Sequence, residues 1–210
     1  MPLVQSTPPS VEPVTLAEAK NHLRVDSDLT ADDGLISMLI GAARRYAEHY
    51  TDRSFINQTW RLTLDAFPGW SGMGVTWGTP YSLPGHAVLL ERGKVQSVTS
   101  IDYTAMDGST KTMPSQDYVA ELSGPVGRVT PVFGKIWPIA QPQIGSVRID
   151  YAAGYGPASS DVPEGIRQWL LLRLASMYEH REEVAVLARG RLEPMDFVDR
   201  LLDPYRAPML

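Results

Sequence analysis

The stretch that most constrains the fold is DVPEGIRQWLLLRLASMYEHR, residues 161–181. Asp161 suits an N-cap, and Pro163 falls where a helix leaves its first N–H groups unpaired anyway. Glu164 near the start and His180 and Arg181 near the end match the helix dipole. Between them Ile166, Trp169, Leu170, Leu172, Leu174, Met177 and Tyr178 leave only narrow polar relief, so the helix is expected to be buried on several sides. At about 1.5 Å per residue it would run roughly 30 Å, the width of a small domain. A membrane span is excluded by Arg167 and Arg173 and by the short apolar run.

A chain of 210 residues buries enough surface to need no covalent staples, and with no cysteine it has neither disulfides nor thiolate metal sites. The first residues, MPLVQSTPPSVEP, hold four prolines and no basic segment followed by an apolar run. They read as a mobile arm over 1–13 and not as a secretory signal. A net charge of −5, with both signs well mixed, argues against a general nucleic-acid glove.

Two helices precede the β section. Thr15-Leu16-Ala17-Glu18 fits a capping box and opens a short amphipathic helix to Val25, with Leu16, Ala19 and Leu23 on one face. Thr30 or Asp32 caps a second, in which Leu35, Ile36, Leu39, Ile40, Ala43, Tyr46, Ala47 and Tyr50 recur at three- and four-residue spacings. Arg44, Arg45, Glu48 and His49 fall on its polar face. Asp32, Asp33 and Glu48 invite a metal reading, but acids at a helix start are explained by the dipole alone, and no metal site is assigned.

From Phe55 the period changes to two. Residues 59–66 alternate as a half-buried strand, short β-prone runs follow at 87–91 and 95–103, and Asp107-Gly108 turns into 110–113. Residues 116–122 are a further strand, 129–137 an edge or loop because of Pro131 and Gly134, and 147–151 a final alternating strand. Helices, then about six strands, then a long helix make an α+β fold: a helical bundle, a mostly antiparallel β part, and an extended C-terminal arm. The domain reading is a single unit over 14–182 with an arm over 183–210.

Two segments invite a binding role. Pro68 to Gly85 is long, rich in glycine and proline, and carries Trp70, Met73, Trp77 and Tyr81. It is either a loop folded on its own aromatics or a contact surface. The C-terminal stretch is apolar, through Leu192, Met195, Phe197, Leu201, Leu202 and Tyr205, and is cut by Pro194, Pro204 and Pro208. It either packs on its own domain or buries itself in a partner. No Walker A, HExxH, EF-hand or G-x-S-x-G pattern is present, since Gly69-Trp70-Ser71-Gly72 fails at Met73. Gly154-Tyr155-Gly156 has the wrong continuation for a dinucleotide site and reads as a turn. No catalytic, metal or cofactor residue is assigned.

Three pieces, TLAEAKNHLRV, AARRYAEHYTDRSFINQTW and YAAGYG…VPEGIRQWLLLRLASMYEHRE, together with LPGHAVLLERGKVQSVTSIDY, occur in the order and spacing of a known family. From about Val11 to Arg206 the chain resembles the head–tail connector, or adaptor, proteins of long-tailed bacteriophages, prophages and gene transfer agents. The resemblance implies a non-enzymatic ring, commonly a dodecamer, beneath the portal at the capsid–tail junction, assembled in the bacterial cytoplasm. Its expected partners are the portal protein, neighbouring copies, and a tail-side stopper or completion protein. DNA is expected to pass through the channel without specific binding, and no membrane or cofactor is involved. An acidic balance suits such a channel, because clustered cations would hold phosphate. Residues about 182–210 are expected to meet the portal, through Leu192, Met195, Phe197, Leu201, Leu202, Tyr205 and Arg206. The alternative function is a small-molecule-binding protein or enzyme that uses the 68–85 loop as a lid.

Overall fold

A computed structural model describes residues 3–68, 87–180 and 200–207. The chain divides into two units, each interrupted in sequence. One takes residues 3–8, 57–68, 87–154 and 207, and the other takes 9–56, 155–180 and 200–206. The α+β class expected from the sequence is observed. The strands and the helices each bury a separate apolar cluster.

The β unit contains β1 (Leu3–Thr7), β2 (Gln58–Leu64), β3 (Val88–Leu90), β4 (Val95–Thr104), β5 (Thr110–Thr112), β6 (Tyr118–Glu121), β7 (Gly127–Pro131) and β8 (Val147–Ala153). They form a five-stranded sheet ordered β1-β2-β8-β4-β5 and a three-stranded sheet ordered β3-β7-β6, antiparallel throughout. Strand β8 occupies the middle of the larger sheet. Val147, Ile149, Tyr151 and Ala153 are each fully buried, and the alternate residues face away, as a period of two requires. On the outer face Arg61, opposite Asp150 in register, holds its carboxylate through two 2.8 Å bonds.

Two expectations are corrected here. Residues 3–7 do not float: Leu3 pairs with Leu62 and Gln5 with Trp60, so the segment closes one edge of the larger sheet. The prolines at 2 and 8 flank the strand, and its register with β2 shifts between Gln5 and Thr7. Strand β7 is not an edge but the middle of the smaller sheet, and Pro131 is its last residue.

The helical unit contains α1 (Leu16–Leu23), α2 (Asp33–Thr51) and α3 (Glu164–Glu179). The capping box at Thr15 forms as expected. The Glu18 N–H donates to Thr15 Oγ1 at 3.2 Å, and the Thr15 N–H donates to Glu18 Oε2 at 2.8 Å. Helix α2 buries Ile36, Ile40, Ala43 and Ala47 against Ile166, Trp169, Leu170 and Leu174 of α3. Trp169 is fully buried and stacks on Tyr46, with ring centroids 5.8 Å apart. Among the described residues no helix is long and apolar enough to cross a membrane.

The start of α3 differs from the sequence reading. Pro163, not Asp161, is its N-cap residue, and Asp161 ends a preceding 3-10 turn. Its carboxylate accepts the Ala158 N–H at 2.8 Å and lies over Gly156, where any Cβ would sit 2.2 Å from Asp161 Oδ2. The turn after β8 therefore admits only glycine at 156.

Deleting residues 2–8 is expected to lower the thermal midpoint by several degrees, at about 2–4 °C per kcal/mol lost, because β2 loses its outer partner. Differential scanning calorimetry checks this, and an unchanged midpoint would mean that β1 contributes nothing.

Candidate docking site on the helical unit

Two buried polar arrangements shape the helical unit. Lys20 on α1 is 5% exposed, and its ammonium reaches the Ser27 carbonyl at 3.1 Å, the Leu29 carbonyl at 2.8 Å and the Asp33 carboxylate at 2.7 Å. One cation thus ties the polar link 24–32 to both flanking helices. On α2 Arg44 and Glu48 are 7% and 8% exposed, which corrects their placement on a solvated face. Arg44 Nη1 donates to Glu48 Oε2 at 2.8 Å, and Nε donates to Glu12 at 2.7 Å. The other Glu48 oxygen accepts the Phe55 N–H at 2.9 Å. Burial pulls the Arg44 guanidinium down, but the hydrogen bond to Glu12 and the charges of Glu48 and Glu12 more than reverse it, so its pKa is raised. The three acids that had invited a metal reading are each taken up separately: Asp33 by Lys20, Glu48 by Arg44, and Asp32 by the Tyr178 hydroxyl at 2.5 Å.

Onto this unit the described C-terminal residues fold back. Leu202 is 1% exposed and belongs to the same apolar cluster as Trp169 and Ile166. Leu201 and Tyr205 are half-buried against that cluster, and Arg206 is exposed. A short 3-10 turn, Asp203–Tyr205, with Pro204 inside it, shapes the segment. The Tyr50 hydroxyl donates to Asp203 Oδ1 at 3.0 Å, Arg53 Nε donates to the Tyr205 carbonyl, and the Arg206 guanidinium lies 4.9 Å from the Tyr50 ring centre. Tyr205 fits over Gly165 in the first turn of α3, where a Cβ would come within 2.8 Å of its hydroxyl. Nearby, burial pushes the Tyr155 phenol up. The positive charge of Arg53 opposes that shift and Tyr205 adds to it.

The structure therefore brings together Leu201, Leu202, Tyr205 and Arg206, four of the seven residues assigned to portal contact. It seats them on Tyr50, Arg53 and Gly165, which the sequence reading did not single out. Leu192, Met195 and Phe197 lie outside the described residues, as do Trp70, Met73, Trp77 and Tyr81 of the aromatic loop. Among the described residues no cluster of three or more histidine and acidic side chains is placed to hold a metal.

The family model for phage gp6-like head-tail connector proteins matches residues 13–117, half of the chain. The chain belongs to this family. Solved structures extend the connector's likeness over its whole length. A chain in the neck of an empty GTA particle, computed with C6 symmetry, is 25% identical with a TM-score of 0.75. It is matched over 97% of its length by 100% of this one. A chain in the virion of a native gene transfer agent particle, 24% identical with a TM-score of 0.77, has the same coverage and shares the fold. So does a chain in the neck of a native GTA particle computed with C12 symmetry, at 22% identity and a TM-score of 0.68. Comparison with curated proteins gives no match.

Two variants test this description of the connector. Glu48→Gln leaves the buried Arg44 with Glu12 as its remaining counter-charge and is expected to cost about 1–2 kcal/mol, read by urea denaturation. Gly165→Ala is expected to leave the unfolding midpoint nearly unchanged, because α3 gains about 1 kcal/mol of helix propensity while Tyr205 is displaced. Trypsin should then cut after Arg206 several-fold faster, which mass spectrometry of the digest measures.

Proposed function

We propose that this connector is one copy of a ring in the neck of a tailed phage or gene transfer agent particle. In this reading it carries the DNA channel from the portal toward the tail-side proteins, and its role is structural rather than catalytic. The observation that carries the reading is the family match over residues 13–117, and the full-length likeness to particle neck chains supports it. The C6 and C12 symmetries in those neck structures favour a ring of copies, with twelve as the proposed number. The particle is the proposed location, after assembly in the bacterial cytoplasm. The net charge of −5 suits a channel through which DNA slides without being held.

The proposed portal contact is the C-terminal arm. The apolar residues Leu192, Met195 and Phe197 carry it, with Leu201, Tyr205 and Arg206 at its base. Leu202 belongs at the root of the arm as an anchor, since its side chain is already committed to the helical core. This distinction decides the experiment. Truncation before residue 200 would unplug the core and confuse folding with binding. The triple variant Leu192→Asp, Met195→Asp, Phe197→Asp keeps the anchor.

Co-sedimentation with the portal ring encoded beside this chain is expected for the native protein. The triple variant is expected to lose at least tenfold in affinity, about 1.4 kcal/mol or more. Undiminished binding by the variant would move the contact elsewhere. Absence of binding by the native chain would count against the connector role itself.

A further inference from the structure

Both roots of the C-terminal arm are fastened to the same helix. At the near root, Tyr178 in the last turn of α3 donates its hydroxyl to Asp32, the N-cap residue of α2, at 2.5 Å. At the far root Leu202 is 1% exposed in the core, the Tyr50 hydroxyl donates to Asp203 at 3.0 Å, and Arg53 Nε donates to the Tyr205 carbonyl. Tyr50 and Arg53 stand at the opposite end of α2, Asp33–Thr51. At 1.5 Å per residue that helix holds the two roots roughly 28 Å apart. Residues 181–199, which join them, could extend about 65 Å if one root were free. The far root is also specially fitted. Gly165 occupies the first turn of α3, where glycine is a poor helix former, yet a Cβ there would come within 2.8 Å of the Tyr205 hydroxyl. A terminus that only filled the core with Leu202 would need neither that glycine nor the bonds from Tyr50 and Arg53.

We infer that Tyr50, Arg53 and Gly165 are positioning residues for portal binding. They seat the anchor and so present the arm between two fixed roots, without touching the portal themselves. The inference rests on the arm contact proposed above. Its physical basis is pre-organisation. Ordering a chain on binding lowers affinity, and a stretch fixed at both ends has fewer conformations to lose than a tail free at one end. Where the binding-competent arrangement is only a fraction of the population, apparent affinity falls by that fraction. Such a loss comes before contact and is read in the association rate, whereas a lost contact is read in dissociation.

The test uses the full chain and the immobilised portal ring encoded beside it, with both rates followed by biolayer interferometry. Two variants loosen the seat at positions outside the proposed contact. Gly165→Ala displaces Tyr205, and Tyr50→Phe removes the hydroxyl that holds Asp203. Each is expected to keep the native circular dichroism and to associate at least about fivefold more slowly, with dissociation within about twofold of native. Native association rates in both variants would overturn the inference. So would a loss carried by dissociation alone, which would trace the effect to a missing contact at Tyr205. Failure of the native chain to bind, or undiminished binding by the triple arm variant, would remove the proposed arm contact first and this inference with it.

Discussion

The helical unit depends on a buried carboxylate. Glu48 sits near the end of α2 with one oxygen on the Arg44 guanidinium and the other on the Phe55 N–H, while its own carbonyl accepts the Arg53 N–H. A buried charge is tolerable only when its lone pairs are met, and here a single side chain meets a cation and an orphan backbone donor together. The result is a fixed exit. Asp52 takes a left-handed conformation at φ 50, the helix stops, and Phe55 and Ile56 drop fully buried into the core before β2 begins. Were the exit slack, Arg53 would not be placed to hold the Tyr205 carbonyl, and the C-terminal anchor would lose one of its polar contacts.

The passage AARRYAEHYTDRSFINQTW marked the chain as connector-like, and the structure gives it a physical content. Its Arg44 and Glu48 form the internal ion pair, its Tyr46 stacks on Trp169, its Tyr50 binds Asp203, and its Arg53 binds the C-terminal backbone. One helix and its exit thereby serve the core, the turn toward the sheet and the anchor of the arm. That concentration of roles explains why so short a run is so informative.

Much of the fold was legible because local rules and tertiary packing agree. The capping box at Thr15, the apolar stripe of α2 and the alternation of β8 each follow from spacing alone. The failures have distinct causes. Periodicity sorts residues by polarity, so a charge buried with its partner looks the same as a charge in water, and Arg44, Glu48 and Lys20 were assigned to solvent or passed over. Strand β1 was hidden because prolines at both ends resemble a disordered arm, although an edge strand needs its N–H groups on one side only. Asp161 has the right chemistry for a cap but serves the turn before the helix. The C-terminal segment was recognised as unusually apolar, yet an apolar pattern reads the same for a residue that plugs its own core as for one left open to a partner. The 1% exposure of Leu202 assigns that residue to the core.

The interrupted course of both units has a consequence for synthesis. Strand β8, at the centre of the larger sheet, is the last of the eight to leave the ribosome, and α3, which carries the core tryptophan, follows it. Strand β1 must wait from Thr7 to Gln58 for β2, and β2 from Leu64 to Val147 for β8. Neither core can close on a nascent chain that ends before residue 170. Pairings so distant in sequence make for slow folding, and the half-made sheet spends that interval with open edges. Until the last helix docks, those edges must be kept from pairing with other chains.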